Sequence, residues 1–301
     1  MMTLFKLVVQ QKMPPKLGAF LLKHGFSKQA INNAKHNQGL ILVNHKRRYT
    51  SYQLHLDDEI IFVPGREKRN VWLHPSNLPL AIVKETTNYL VINKPAGVLS
   101  IPSRFEDDSA VVNRVLGYFA RKNQPDLKPH VVTRLDKDTS GLVLVGKNPI
   151  AHSRFSKISK TDFVKKYHAI VHGNFASDEA VGLIDAPIGR SSEAIERSVT
   201  TSGKKAQTQY QVLEQVDGAS LVELRLLTGR THQIRVHMQF LGHPLFGDQL
   251  YGIADGFQRQ ALNCYYLAFP DPFMQQQKIE LKINDPLDMT NLWGKIKNSA
   301  S

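Results

Sequence analysis

Apolar and polar positions along this chain change period several times, and each change marks a predicted element. Leu17, Phe20 and Leu21 fall on one face of a short helix, which Lys23-His24-Gly25 ends at a glycine. Ser27 is placed to cap a second helix with Ala30, Ile31 and Ala34 on one face, and Gly39 to end it. Leu40-Ile41-Leu42-Val43 predicts a strand and Asn44-His45-Lys46 a turn. Asp57-Asp58-Glu59 then leads into the strand Ile60-Ile61-Phe62-Val63. Residues 13–64 therefore read as a small αα-ββ unit. Gly65-Arg66-Glu67-Lys68-Arg69-Asn70 is charged and polar, with Pro75 and Pro79 beyond it, so residues 65–78 read as a linker.

From 79 to 295 strands outnumber helices. Leu80-Ala81-Ile82-Val83 and Tyr89-Leu90-Val91-Ile92 flank a polar turn, and Leu142-Val143-Leu144-Val145 has the composition of a buried strand. Helices are predicted at 109–121 and 149–160, the second with Asn148 as cap and Pro149 at its first position. Strands are predicted at 164–172, 205–216 and 220–227. Residues 190–204 hold little apolar content and read as a mobile loop. This order predicts an α+β fold with a mixed, mainly antiparallel sheet, preceded by the αα-ββ unit.

Charge sharpens the division. The chain has 301 residues and a formal charge of +13. Residues 1–70 hold 12 Lys/Arg and 4 Asp/Glu, so 12 − 4 = +8 lies there. A compact basic module attracts polyanions and makes their binding salt-dependent. Cys264 is the one cysteine, so no intramolecular disulfide can form, and its neighbours Ala261, Leu262, Tyr265 and Tyr266 read as packing around a buried thiol. No apolar run approaches the ~20 residues that a membrane helix needs, and Lys6 with Gln10-Gln11-Lys12 does not read as a signal peptide. The expected setting is the cytoplasm.

The candidate chemistry lies in Thr133-Arg134-Leu135-Asp136-Lys137-Asp138-Thr139-Ser140-Gly141, where a carboxylate sits among cations beside a tight turn. Such a carboxylate is held ionised and in place, as a nucleophile or base must be. The string resembles the R-L-D-x-x-T-S-G motif of the RluA-type pseudouridine synthases, with Thr133 where that family usually has His. Lys94-Pro95-Ala96-Gly97 resembles the family's N-K-P-x-G element. Residues 165–173 resemble K-x-Y-x-A-x-V-x-G and place Tyr167 on one strand face with Ala169 and Val171. Thr228-Gly229-Arg230-Thr231-His232-Gln233-Ile234-Arg235 reads as a glycine turn and a helix start with Thr231 as cap and Arg235 off the main apolar face. His243-Pro244 through Gly247-Asp248 and Tyr251-Gly252 complete a further family string. Arg259-Gln260-Ala261-Leu262 matches R-Q-A-L, with Asn263 where His is common. Residues 13–64 are similar to the RNA-binding domain named after ribosomal protein S-four.

The resemblance implies a mixed sheet with a central cleft and a uridine-to-pseudouridine isomerase that needs no cofactor or metal and acts as a monomer. It implies that Asp136 either attacks the anomeric carbon or removes the neighbouring sugar proton. Tyr167 would stack on the uracil, and Arg235 would pair with Asp136. RNA contacts fall to Arg134, Thr139, Arg230 and His232, and to Lys46, Arg47 and Arg48 in the front module. Thr133 and Asn263 are expected to affect RNA contacts and not the chemistry. Ribosomal RNA of the large subunit is the favoured substrate, with transfer RNA as the alternative.

Three rival readings are weaker. A non-catalytic RNA-binding protein is disfavoured by the intact Asp136, Tyr167 and Arg235. A glycoside hydrolase requires a second carboxylate about 5–9 Å away, for which Asp138 is the nearby candidate, and the basic charge does not suit a neutral sugar. His232 and His237 are five apart, about 140° around a helix, which does not match the i, i+4 spacing of a zinc pair.

Overall fold

The computed structural model describes residues 4–12, 14–67, 72–103, 109–190, 196–274 and 277–299. The chain divides into two compact units. The first comprises Met1–Ile92, Ile101–Thr133 and Leu144–Lys157; the second comprises Asn93–Ser100, Arg134–Val143 and Ile158–Ser301.

The first unit opens with β1 (Phe5–Val8), α1 (Leu17–Lys23), α2 (Lys28–His36), β2 (Leu40–Val43), β3 (Lys46–Arg47) and β4 (Glu59–Val63). The four strands form one antiparallel sheet in the order β1-β4-β2-β3. Leu17, Phe20 and Leu21 of α1, with Ala30, Ile31 and Ala34 of α2, are buried, as are Ile41, Val43, Ile60 and Phe62. The Phe26 ring lies 4.4 Å from that of Phe62 and 5.7 Å from that of Phe5. Ser27 caps α2, its hydroxyl accepting from Ala30 N at 3.0 Å, a contact typically worth about 1 kcal/mol. Asn44 and His45 both have positive φ, +48° and +62°, as the two central residues of a type I′ hairpin turn must.

Strand β1 extends this sheet beyond the elements predicted for residues 13–64. Phe5 is buried and Lys6 and Val8 exposed, an alternation too short to separate from an irregular apolar patch. The expected linker is also engaged with its neighbours. Arg66 N donates to Asn37 O at 2.7 Å, Glu67 meets His130 at 2.9 Å and Ser76 N donates to Asn113 O at 2.9 Å. Residues 68–71 of that stretch lie outside the described residues.

The first unit also contains β5 (Ile82–Glu85), most of β6 (Tyr89–Lys94), α3 (Val111–Arg121), β7 (His130–Val131), the end of β8 (Ser140–Gly146) and α4 (Pro149–Phe155). Asn148 caps α4 through Ala151 N at 2.9 Å, with Pro149 in the first turn. The helix stops at Phe155, short of the expected 160. Ser156 and Ser159 hydroxyls bond nearby backbone instead, an alternative to helix that serine offers readily.

The second unit contains β9 (Val164–His172), β10 (Val181–Asp185), β11 (Ile188–Arg190), β12 (Arg197–Val199), β13 (Gln207–Val216) and β14 (Ala219–Leu226). It continues with α5 (Gln233–Phe240), β15 (Leu262–Pro270), β16 (Lys278–Lys282) and α6 (Leu287–Ser299). Strands β10-β13-β14-β9-β15 pair antiparallel in that order, with β16 antiparallel on β15. The start of β8 pairs parallel with β15, Ser140 opposite Asn263 and Gly141 opposite Cys264. Gly141 has φ +116°, and a Cβ there would fall 2.4 Å from Cys264 O, so this approach requires glycine. Helix α6 packs Met289 and Trp293 against Ile170, Ala219 and Ala261. Residues 188–199 contain the β11–β12 hairpin where a loop was expected; residues 191–195 lie outside the described residues. The architecture is the expected α+β one with largely antiparallel sheets.

Candidate active site

Asp136 sits in an irregular loop ahead of β8, and side chains from several elements of the second unit fix that loop. Lys94 is fully buried, and its ammonium donates to Lys137 O at 2.8 Å, Val98 O at 2.7 Å and Pro95 O at 3.0 Å. A buried charge needs such company. The Ser100 hydroxyl accepts from Leu135 N at 3.1 Å and donates to Leu135 O at 3.0 Å. Arg259 Nη1 reaches Asp138 O at 3.3 Å, and Gln260 Nε2 donates to Thr139 Oγ1 at 3.1 Å. The Asp136 carboxylate itself is about one-third exposed, at 32%.

Arg235 is brought to it from α5. Its side chain is 6% exposed and its Nη1 lies 3.8 Å from Asp136 Oδ2. The other edge of the guanidinium is committed to Asp248, with Nε–Oδ2 and Nη2–Oδ1 both at 2.6 Å. This is the fork-to-fork pairing that arginine geometry favours. Burial pushes the guanidinium down, but the hydrogen bonds and charge of Asp248, and then the charge of Asp136, hold it above its ordinary value. The Tyr251 ring packs on the guanidinium at 4.9 Å. Arg235 was expected off the apolar face; it is buried because Asp248 compensates its charge inside the protein.

Tyr167 enters from β9 and is 3% exposed. Burial pushes its hydroxyl well above the usual range, and a hydrogen bond to Cys264 and the nearby Asp136 charge act in the same direction. Cys264 is fully buried, and burial pushes its thiol up to about 11.

The start of α5 departs from expectation. Its cap position is His232, not Thr231, and His232 adopts φ +58° without a side-chain capping bond. Gln233 stabilises the turn instead. Its Oε1 accepts from Arg230 N and Thr228 Oγ1, both at 2.9 Å, and its Nε2 donates to Gln207 O and Thr208 Oγ1, both at 3.0 Å. A non-glycine residue in the left-handed region is strained, and here the strain lies next to Arg235. His232 Nδ1 meets the Tyr251 hydroxyl at 2.9 Å, and that oxygen accepts from Arg197 N at 2.8 Å. Burial pushes the His232 imidazole down, opposed by the Asp136 charge.

The structure therefore brings Asp136 and Arg235 together in the second unit, with Tyr167 and His232 near enough for the Asp136 charge to bear on both. Arg134 is exposed, and Arg230 Nε donates to Lys205 O at 2.9 Å. Thr139 is 2% exposed and turned inward to Gln260, so its side chain supports the loop. Lys46, Arg47 and Arg48 lie in the first unit, on and just after β3. The two departures from the family strings are also internal. Thr133 is 8% exposed and its Oγ1 accepts from Leu144 N at 2.9 Å, while Asn263 is 1% exposed and bonds Ser140 and Asp285. Both side chains are turned to their own strand neighbourhoods, so any effect of these departures on RNA contacts would be indirect. Asp248, Tyr251 and Gln233 carry the geometry without having drawn a role from sequence; the G-D-x-x-Y-G string held two of them, but nothing local showed that Asp248 pairs with Arg235.

Among the described residues no three His, Cys, Asp or Glu side chains gather as a metal site. His237 has both ring nitrogens engaged, with Thr208 Oγ1 at 2.8 Å and Ala186 O at 2.9 Å. No helix among the described residues is long and apolar enough to cross a membrane.

Comparison with known proteins places the chain in a family. The family described as RNA pseudouridylate synthase matches residues 88–240. The Bacillus subtilis (strain 168) protein named "Uncharacterized RNA pseudouridine synthase YjbO" is 40% identical, over 89% of this chain and 94% of its own length. The ribosomal large subunit pseudouridine synthase D of Yersinia pestis is 34% identical, over 85% of this chain and 83% of its own. The solved structure of human RNA pseudouridylate synthase domain containing 1 superimposes with a TM-score of 0.57 at 29% identity, covering 69% of this chain and 84% of that one. With the match spanning the loop of Asp136, the strand of Tyr167 and the helix of Arg235, the chain belongs to the RNA pseudouridylate synthase family.

Proposed function

We propose that this RNA pseudouridine synthase modifies large-subunit ribosomal RNA and that Asp136 is its catalytic carboxylate. The observation that carries the assignment is the guanidinium of Arg235. Asp248 takes its Nε–Nη2 edge and leaves Nη1 directed at Asp136, 3.8 Å away. A cation held rigidly on one side of a partly exposed carboxylate orients it. The reaction breaks the N1–C1′ bond of uridine, rotates the uracil and joins C5 to C1′; the C5 proton leaves and N1 gains one, so composition is unchanged. Asp136 attacks C1′ or removes the 2′ proton, and both routes need it ionised. Tyr167 forms the wall on which the uracil stacks. Its hydroxyl, held protonated by burial, serves as a hydrogen-bond donor.

The substrate class rests on relatives whose names specify the large ribosomal subunit. Residues 79–295 form the catalytic domain in this reading. The αα-ββ elements of residues 13–64, with Lys46, Arg47 and Arg48, bind RNA in the manner of an S-four-like domain. Arg134, Arg230 and His232 hold the backbone around a flipped nucleotide. The enzyme works as a cytoplasmic monomer without cofactor or metal. Tritium release from 5-tritiated uridine in large-subunit transcripts, set against transfer RNA transcripts, tests both parts. Release from transfer RNA alone overturns the ribosomal assignment, and undiminished release by Asp136→Asn overturns the role of the aspartate.

A further inference from the structure

We propose that Asp285 is a positioning residue that clasps the Asp136 loop to the Tyr167 strand; the proposal rests on the catalytic reading of those two residues. Asp285 lies between β16 and α6, beyond the part of the chain that the family matches. Its Oδ1 accepts from Asn263 Nδ2 at 2.8 Å, and its Oδ2 lies 2.6 Å from His168 Nδ1. Asn263 in turn accepts from Ser140 Oγ at 2.9 Å through its own Oδ1. The amide cannot be reversed, because an ionised carboxylate only accepts. Asn263 must turn its nitrogen to Asp285 and its oxygen to Ser140.

The two ends of this chain of bonds lie beside the two catalytic elements. Ser140 closes the loop of Asp136, and His168 follows Tyr167 on β9. On β15, Asn263 is the register partner of both, parallel to Ser140 and antiparallel to His168. The backbone ladders are short or shifted at this point. The β8–β15 pairing gives two residue pairs, and the β9–β15 register shifts between Asn263 and Tyr266. Side chains therefore have to define what the ladder does not. His168 is further pinned by stacking on Tyr265 at 3.7 Å, and the Tyr265 hydroxyl bonds Glu223, which also holds Lys166 at 2.8 Å. A second carboxylate of the same segment repeats the device: Asp288 holds Arg259 by bonds of 2.7 and 2.9 Å, and Arg259 reaches Asp138 O.

The clasp makes a test by exchange of partners. Asn263→Asp sets two carboxylates face to face and removes the donor. Adding Asp285→Asn restores every bond with only the one between 263 and 285 reversed, since the new amide donates to residue 263 and still accepts from His168. In single-turnover reactions on a 5-tritiated large-subunit ribosomal RNA transcript, Asn263→Asp should slow isomerisation about 10- to 100-fold, the scale of a misplacement near 1 Å, with RNA affinity unchanged. The double exchange should recover most of the rate. Hydrogen exchange of the free protein should rise at the amides of 135–141 and around Tyr167 in the single variant and fall back in the double. Asp285→Ala, at a side chain 24% exposed, provides a variant that folds should Asn263→Asp not, and should show the same loss of rate without loss of affinity. A wild-type rate and exchange pattern in Asp285→Ala, or a double variant no better than Asn263→Asp, overturns the clasp. Absence of tritium release by the wild-type chain on every RNA would instead overturn the catalytic reading, while the exchange measurements would still decide the clasp.

Discussion

Arg47 and Arg235 are the same residue type put to different uses. Arg47 stands exposed at the front hairpin, its Nη2 3.4 Å from Lys35 O, and Arg48 beside it lies over the Tyr52 ring at 4.6 Å. Arg235 is nine-tenths hidden and holds Asp248 by two bonds of 2.6 Å. An exposed cation attracts phosphate over a Debye length and yields to salt. A buried one is fixed in direction, so it can orient a second carboxylate but tolerates no change. On the proposed function, the front hairpin would supply attraction and the group around Asp136 would supply geometry.

The strongest test of that division is Asp136→Asn. Turnover should fall by roughly 10²–10⁴-fold or more, while RNA affinity and thermal midpoint hold, because Asp136 is partly exposed and Arg235 keeps Asp248. Gel-shift binding and tritium release on the same preparation check both halves.

Arg235→Ala should instead damage fold and activity together. It strands the fully buried Asp248 side chain, which typically costs about 3–5 kcal/mol. The double variant Arg235→Met with Asp248→Asn removes both charges and keeps an Oδ1 acceptor for Leu250 N and Tyr251 N. It should regain most of the stability in urea titration and none of the activity. Equal instability of the single and double variants would show that the ion pair is not the reason Arg235 is buried.

The exposed side of the comparison is broken by replacing Lys46, Arg47 and Arg48 with serine. The slope of log affinity against log salt should flatten by about 2–3, at 0.7–0.9 for each lost phosphate contact. The rate at saturating RNA should not change. A lowered saturating rate would mean that these cations position the substrate as well as attract it.

Legibility in the sequence follows the same division. Local devices were readable: the Ser27 and Asn148 caps, the Asn44-His45 turn and the 164–172 strand all appear where their residue types place them. The loop of Asp136 was readable because its motif is contiguous. What holds that loop was not. Lys94 and Lys137 are 43 residues apart, and Ser140 and Asn263 are 123 apart; pairings set by strand order leave no mark in local periodicity. Arg235 was misplaced for a related reason. A helical wheel assigns a charged residue to the wet face unless its buried counter-charge is known, and Asp248 comes 13 residues later.

A smaller effect sharpens the buried side of the comparison. His237 is fully buried, and burial pushes its imidazole below the ordinary value, though the Ala186 carbonyl pulls the other way. His152 and His232 are pushed down likewise, burial leading in both. In the unfolded chain such groups take up protons near pH 6.5. In the folded protein they do so only at lower pH. The unfolded state thus binds more protons as pH falls below about 6.5, and stability is present above that pH and declines beneath it. Each such histidine can contribute a slope of at most about 1.4 kcal/mol per pH unit. The lowered carboxylates, Glu85, Asp255 and Asp288 among them, lose their contribution only further down, as pH falls through their own range near 4. Urea unfolding between pH 7.5 and 5 therefore isolates the histidines. His237→Gln keeps partners for Thr208 and Ala186 but cannot titrate, so its stability should decline less steeply over that interval than the wild type's. An unchanged slope would assign the acid sensitivity to His152 and His232, and the interior of α5 would then have no part in it.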